Sequence, residues 1–296
     1  MKNFEALTGL VDVKPFMENV YGKRAVVLPH EREWFDSTFG MSALNHILNF
    51  VPLTYPRVRA TDHANSVHKY DLIRDQDRYA NNRNDDLDPE KLVRTIAHGA
   101  TLVIDQVQKL SSPLEEFIDG LSRDLGFKVS CNAYYTAHNT VGVNAHFDRH
   151  DVFAVQLHGA KRWFYRHAPH DLTKPIRGQA SPQVPASRAG WSSVLLKKGD
   201  VFYCPRGVWH FTETGECSSA HLAIGLYPPT LQDWLDRICK HGDLPQLLEQ
   251  YVAHSLEGND NFPEALLEVL FEKVRKASRE ITETALPSQR PYIELE

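Results

Sequence analysis

The 296 residues carry 33 Lys and Arg against 38 Asp and Glu, a net charge of −5 with histidine neutral. With no Lys/Arg-rich run, a broad phosphate-binding face is not expected. Hydrophobic residues at 42% and charged residues at 24% suit an ordinary globular chain able to bury a sizeable core, and the apolar runs fall far short of the roughly 20 residues that span a bilayer, so neither a nucleic-acid nor a membrane partner is expected.

The first ten residues include Glu5 and no sustained apolar stretch, so they do not read as a signal peptide. Cys131, Cys204, Cys217 and Cys239 are scattered without a C-x-x-C pair, which reads as reduced thiols in a cytoplasmic protein.

Apolar spacing of three and four predicts helices over 13–21 and 41–49, with a β-branched strand or extended arm at 24–28 between them, stopped by Pro29. Short strands are expected at 57–60 and 70–73. The stretch 74–91 is almost wholly polar: a solvated loop is the default reading and a lid over a site the sharper one. Asp88-Pro89-Glu90 marks a helix start running through Ala97, followed by a strand at 101–105. Ser112-Pro113 then opens a helix over 114–125, ended by Gly126.

From 127 to 227 the character changes. Short β-rich runs at 128–135, 142–147, 152–157, 162–166, 193–196, 200–203 and 221–226 alternate with Gly, Pro and polar turns, as in a sandwich or barrel. After Tyr227-Pro228-Pro229, helical patterns at 231–238, 244–254 and 262–277 form an appended helical segment. Its short amphipathic helices suggest a homodimer interface, with packing on the barrel as the alternative. The expected division is 1–227, with core strands over 127–227, and 228–296.

Within the β-rich part, His146-Phe147-Asp148 places two ligand types at i and i+2, which on a strand point to one side. Two imidazoles and one carboxylate on one face of an octahedron hold non-haem Fe(II) and leave positions for co-substrate and dioxygen; the third ligand must come from a distant strand. His-x-Asp alone is weak, because with 15 histidines about one chance occurrence is expected. A second instance, His241-Gly242-Asp243, stands in a helix–turn context that does not support ligation. The distant partner is more distinctive: Gly199-Asp200 opens a strand, Pro205-Arg206-Gly207 turns, and His210 follows. The alternatives stay open: His146 as a core histidine, His150 replacing it after a register slip, Asp148 as a turn residue capping backbone donors, and His210 as a surface side chain. Cys204 and Cys217 lie near, but soft thiolates suit Fe(II) poorly.

Taken in order, Asn132-Ala133-Tyr134-Tyr135-Thr136, His146-Phe147-Asp148, Asp151-Val152-Phe153-Ala154-Val155-Gln156, Gly159-Ala160-Lys161-Arg162-Trp163, and Gly199-Asp200 through Pro205-Arg206-Gly207 to His210 resemble the JmjC oxygenases, in the cupin-like branch that contains the ribosomal oxygenases. The likeness covers roughly 127–227, with weaker blocks at 16–24 and 99–105. It implies a mainly β fold, a double-stranded β-helix (jelly-roll or cupin) core with N-terminal helices and a C-terminal helical segment. It also implies His146, Asp148 and His210 as iron ligands, Lys161 as the cation for the far carboxylate of 2-oxoglutarate, and Asn132 and Tyr134 as hydrogen-bonding neighbours. Physical reasoning agrees on Lys161, since a dicarboxylate held by metal at one end needs a fixed positive donor at the other; a surface lysine is the alternative. His221, in an apolar strand, lines the co-substrate pocket or is a hydrogen-bonded core histidine. Ribosomal oxygenases typically end in a winged helix, for which the residues after Tyr227 leave little room, and this weakens the expectation of a ribosomal substrate.

The resemblance implies an enzyme that uses Fe(II), 2-oxoglutarate and O2 to hydroxylate an unactivated C–H bond of a peptide or protein side chain. The alternatives are hydroxylation of a free amino acid or biosynthetic intermediate, a non-catalytic cupin binding a small molecule, and a Zn or Mn cupin working without 2-oxoglutarate. Demethylation would need a methylammonium pocket, which no sequence feature identifies.

Overall fold

The computed structural model describes residues 2–28, 35–62, 66–75, 85–167, 187–242 and 264–283. The chain divides into two units, Met1–Leu125 with Val129–Tyr227, and Gly126–Lys128 with Pro228–Glu296.

In the first unit, α1 (Lys2–Thr8) and α2 (Val13–Asn19) precede β1 (Val26–Leu28), then α3 (Met41–Phe50), β2 (Val58–Thr61), α4 (Pro89–Ala97), β3 (Thr101–Ile104) and α5 (Ser112–Leu125). The β-rich stretch supplies β4 (Lys128–Thr136), β5 (Asp151–His158), β6 (Ala160–Arg166), β7 (Ser192–Lys197), β8 (Val201–Cys204), β9 (Trp209–Thr214) and β10 (Ser219–Tyr227). They form a seven-stranded sheet in the order β1-β8-β5-β10-β4-β3-β2 and a three-stranded sheet β7-β6-β9. The pairs β1–β8, β8–β5, β5–β10, β4–β3, β3–β2, β6–β7 and β6–β9 are antiparallel. This is the expected double-sheet core with flanking helices.

The apolar run of β5 has a direct cause. Every residue from Asp151 to Leu157 is buried, as in a strand covered on both faces. On one side Phe153 meets Phe16 of α2 at a centroid distance of 5.5 Å, and Phe16 also packs on Phe4 at 5.5 Å and Tyr203 at 5.0 Å. On the other side Ala154 joins Trp163, Leu196, Phe202, Cys204 and Val208 in a cluster between the sheets. Helix α1, which no sequence pattern announced, is capped from a distance: Asp124 Oδ2 in α5 accepts from the backbone N–H of Asn3 and of Phe4, each at 2.9 Å. A carboxylate at a helix start satisfies otherwise orphaned donors.

Two expected strands are corrected. Residues 70–73 overlap a 3-10 turn, Lys69–Asp71, because Asp71 Oδ2 accepts from His68 N–H at 2.8 Å and local side-chain bonding competes with a ladder; only Ile73 bridges, to Leu87. Residues 142–147 are not a continuous strand either: the chain touches β9 through isolated bridges, Val141 to Glu213 and His146 to His210. Much of the polar stretch 74–91 lies outside the described residues.

In the second unit, α6 (Leu231–Cys239) starts with a reciprocal cap between Thr230 and Asp233, and α7 (Glu264–Glu283) runs 20 residues. Ile238 and Ala277 are buried with Trp234, Leu270 and Val274 packed against them. The helix expected at 244–254 lies outside the described residues. No described helix is long and apolar enough to cross a membrane.

Candidate active site

The two histidines of the expected triad face each other as a bridged backbone pair. His146 N–H donates to His210 carbonyl at 3.0 Å and His210 N–H to His146 carbonyl at 2.7 Å. Directly opposed residues carry their side chains on one face, and the ring centroids stand 4.3 Å apart. His146 therefore reaches the site without a strand of its own, from an irregular segment laid along β9. Gly142 N–H donates to Thr212 carbonyl at 2.8 Å in the same segment; a Cβ on Gly142 would come within 2.6 Å of Thr212 Oγ1, so this approach requires glycine.

Each imidazole is oriented from behind. His146 Nδ1 lies 2.7 Å from Asn144 carbonyl and His210 Nδ1 3.0 Å from Val208 carbonyl. A carbonyl only accepts, so both Nδ1 atoms carry the proton and both Nε2 atoms present lone pairs. Those lone pairs converge on Asp148, with His146 Nε2 4.0 Å from Oδ1 and His210 Nε2 3.5 Å from Oδ2. All three donor atoms lie within 4.8 Å of one another. Burial, with the neighbouring His146, holds the His210 pKa below its usual value and favours the neutral, ligating form. Among the described residues the Asp148 carboxylate caps no backbone donor; its own carbonyl accepts from Gly207 N–H at 2.9 Å.

Lys161 is 1% exposed. In the β6–β9 register it sits opposite Thr214 while Tyr165 sits opposite His210, so Lys161 and His210 share one face of the small sheet. Its Nζ donates to Thr136 Oγ1 on β4 at 2.8 Å, and among the described residues no carboxylate pairs with it. Desolvation lowers its pKa from 10.5 to about 7. His221 stacks on Tyr134 at 4.9 Å and 10°, and among the described residues its buried Nδ1 has no hydrogen-bond partner. Burial, then the charges of Lys161 and His210, hold it neutral. Tyr134 is pushed up to about 12 by burial and the nearby Asp148.

These side chains line one cavity of about 420 Å³: His146, Asp148, His210, Lys161, Tyr134 and His221, with Arg59, Thr61, Trp163 and Thr212 among the rest. Asn132 is not in that lining. Its Oδ1 accepts from Gln106 N–H at 2.9 Å, and it lies close enough to Tyr134 to influence that hydroxyl's pKa, lowering it. His150 is turned away, stacked on Tyr227 at 4.5 Å. His241 lies 3.6 Å from Glu280 in the second unit, and Asp243 is outside the described residues. Cys204 is buried 3.9 Å from His210 Nδ1, where burial raises its thiol pKa.

Sequence reasoning passed over Thr136, although it stands in the same block as Tyr134. It also passed over Arg59, which lines the cavity and pairs with Asp105 at 2.8 Å. The signal for Thr136 was the alternation Asn132, Tyr134, Thr136 along one strand face.

Residues 106–234 match the model of the JmjC domain. Ribosomal oxygenase 2 of Rattus norvegicus is 35% identical over 132 residues, 43% of this chain and 27% of that protein. Ribosomal oxygenase 1 of the same species is 24% identical over 279 residues, 90% of this chain and 43% of that protein. The chain thus spans about a quarter to under half the length of these two relatives. Among solved structures, Escherichia coli ribosomal oxygenase YcfD superposes with a TM-score of 0.51 at 16% identity, over 93% of this chain and 68% of that one. A complex of YcfD with cobalt and 2-oxoglutarate gives 0.52 at 16%, over 90% and 66%; these likenesses show the fold. With the double-sheet core and the His-x-Asp…His arrangement in place, residues 106–234 carry a JmjC domain of the Fe(II)/2-oxoglutarate oxygenase type, related to that of the ribosomal oxygenases.

Proposed function

We propose that this chain hydroxylates an unactivated C–H bond of a peptide or protein side chain, using Fe(II), 2-oxoglutarate and O2. The observation that carries the reading is Lys161, a buried ammonium without a carboxylate partner among the described residues, opening on the same cavity as His146, Asp148 and His210. A buried charge without a counter-ion is costly, and a dicarboxylate reaching from the metal ligands to Lys161 would relieve that cost. The donor set fits the metal as well, since two neutral imidazoles and one carboxylate suit non-haem iron and leave positions open.

In this reading His146, Asp148 and His210 would hold the iron. Lys161 binds the far carboxylate of 2-oxoglutarate, and Thr136 aims its Nζ. Tyr134 and His221 form an aromatic wall with polar edges beside the co-substrate, and Asn132 steadies Tyr134. When bound, the iron with 2-oxoglutarate and O2 supplies the oxidising power, releasing succinate and CO2. Arg59 and Thr61 also line the cavity and in this reading would face the substrate. The relatives' names support a protein substrate, and one belonging to the ribosome is the first class to try.

The test is anaerobic loading with Fe(II), then addition of 2-oxoglutarate, O2 and a panel of ribosomal-protein peptides, followed by mass spectrometry. One added oxygen on a peptide with matching succinate supports the reading. Absence of both 2-oxoglutarate binding and uncoupled succinate formation in the metal-loaded protein refutes it.

A further inference from the structure

Asp151 is fully buried, and a buried carboxylate persists only where donors satisfy it. Its Oδ1 accepts from Tyr203 O–H and its Oδ2 from Arg206 Nη1 at 2.7 Å. The Tyr203 hydroxyl accepts in turn from Gly22 N–H at 2.8 Å. The Arg206 guanidinium lies 5.7 Å from the Tyr21 ring centroid, with Nη1 3.5 Å from the Tyr21 hydroxyl. Three stretches remote in sequence therefore converge on one carboxylate: the turn after α2, the start of β5, and the turn after β8.

Two of those stretches carry metal-site residues. Asp148 lies just before Asp151 and His210 just after Arg206, and Gly207 N–H closes the gap between them on the Asp148 carbonyl at 2.9 Å. None of Tyr21, Asp151, Tyr203 and Arg206 lines the metal cavity, so any influence they have on the site acts through the positions of the ligands.

We propose that Arg206 is a positioning residue, whose ion pair with buried Asp151 sets the spacing of Asp148 from His210 and ties the Tyr21–Gly22 turn to that spacing. The inference rests on the reading of His146, Asp148 and His210 as metal ligands. Without Arg206, Asp151 keeps one side-chain donor among the described residues and must draw in water. That change displaces the turn at 205–207, which Gly207 links directly to Asp148. An ion pair that only held the fold together would lower stability without altering the geometry around a bound metal.

Co(II), whose visible absorption reports ligand geometry, separates the two cases. The full chain is titrated with Co(II) in wild-type, Arg206→Met, Arg206→Lys, Tyr203→Phe and Leu121→Ala forms. Leu121 is buried in α5, outside the network, and serves as a control for stability. Arg206→Met should weaken Co(II) binding by about ten- to a hundredfold and change the spectrum, while Arg206→Lys restores most of both. Tyr203→Phe, which keeps the ring but removes one donor to Asp151, should weaken binding less; it carries the test if the Met form does not fold. Leu121→Ala should lower the melting temperature and leave the affinity and spectrum alone. Unchanged Co(II) binding in the Arg206 and Tyr203 variants, or an equal loss in Leu121→Ala, overturns the inference. Wild-type binding that is absent, or indifferent to His210→Ala, overturns instead the metal-site reading beneath it.

Discussion

Lys161 Nζ and Thr136 Oγ1 meet at 2.8 Å across the space between the two sheets, and Thr136 Oγ1 lies a further 3.0 Å from Thr101 Oγ1. The Thr136 hydroxyl accepts one hydrogen bond from the ammonium and orients the rest. An ammonium has three donors, so Lys161 keeps capacity for an anion entering the cavity.

The binding consequence can be measured directly. Lys161→Met should weaken 2-oxoglutarate binding to the metal-loaded protein by about ten- to a hundredfold, because a charge-assisted bond contributes ~1.5–3 kcal/mol. Metal binding should hardly change. Calorimetric titration with Co(II) present would show both, and an unaltered 2-oxoglutarate affinity would move the role to another cation.

The lowered Lys161 pKa also sets two pH dependences. Between about 7 and 10.5 the unfolded chain keeps a proton that the folded, ligand-free chain has lost, so stability should rise with pH across that window. Binding of the dicarboxylate requires the ammonium. Above pH about 7 it therefore takes up a proton, and affinity should fall as pH rises. Both trends should flatten in Lys161→Met, read by denaturant titration and by dissociation constants over the same pH range.

For the metal, His146→Ala or His210→Ala should abolish stoichiometric Fe(II) binding while the circular dichroism spectrum stays that of a folded protein. Loss of one of three ligands leaves two, too few to hold a labile divalent ion tightly. Elemental analysis after anaerobic desalting checks this, and full occupancy in either variant would show that the ligands lie elsewhere.

Stability should depend heavily on one aromatic contact between helix and sheet. Phe16, 1% exposed, touches Phe4, Phe153 and Tyr203. Phe16→Ala should cost ~3–5 kcal/mol by deletion of a buried ring and the cavity left behind, measured as a shifted urea midpoint. A loss below about 1 kcal/mol would mean that the helix packs loosely.

We also expect self-association through the second unit, where Leu231, Leu235, Val269 and Phe271 are exposed. Leu231→Ser with Phe271→Ser should lower the mass seen by light scattering from dimer to monomer. An unchanged mass would reject this role.

The residues singled out in the sequence, His146, Asp148, His210 and Lys161, do line one cavity. Two imidazoles, a carboxylate and a lysine are the side chains that the proposed metal and dicarboxylate would call for, and turn residues bracket them at recognisable spacings. Within β5 the run Val152-Phe153-Ala154-Val155 is apolar at every position, as a strand buried on both faces favours. What the sequence could not show was settled by contacts between distant residues. His146 lies on no regular strand, and its direction comes from two backbone hydrogen bonds to His210. Helix α1 takes its cap from Asp124, some 120 residues away, and Lys161 its partner Thr136 from the opposite sheet. The strand expected at 70–73 gave way to a cap between His68 and Asp71, which leaves a single bridge from Ile73 to Leu87 in place of a ladder. Periodicity reports which face of a segment is buried; which remote side chain meets it there depends on the packing of the whole chain, and pairwise hydrogen bonds of this kind leave no periodic trace.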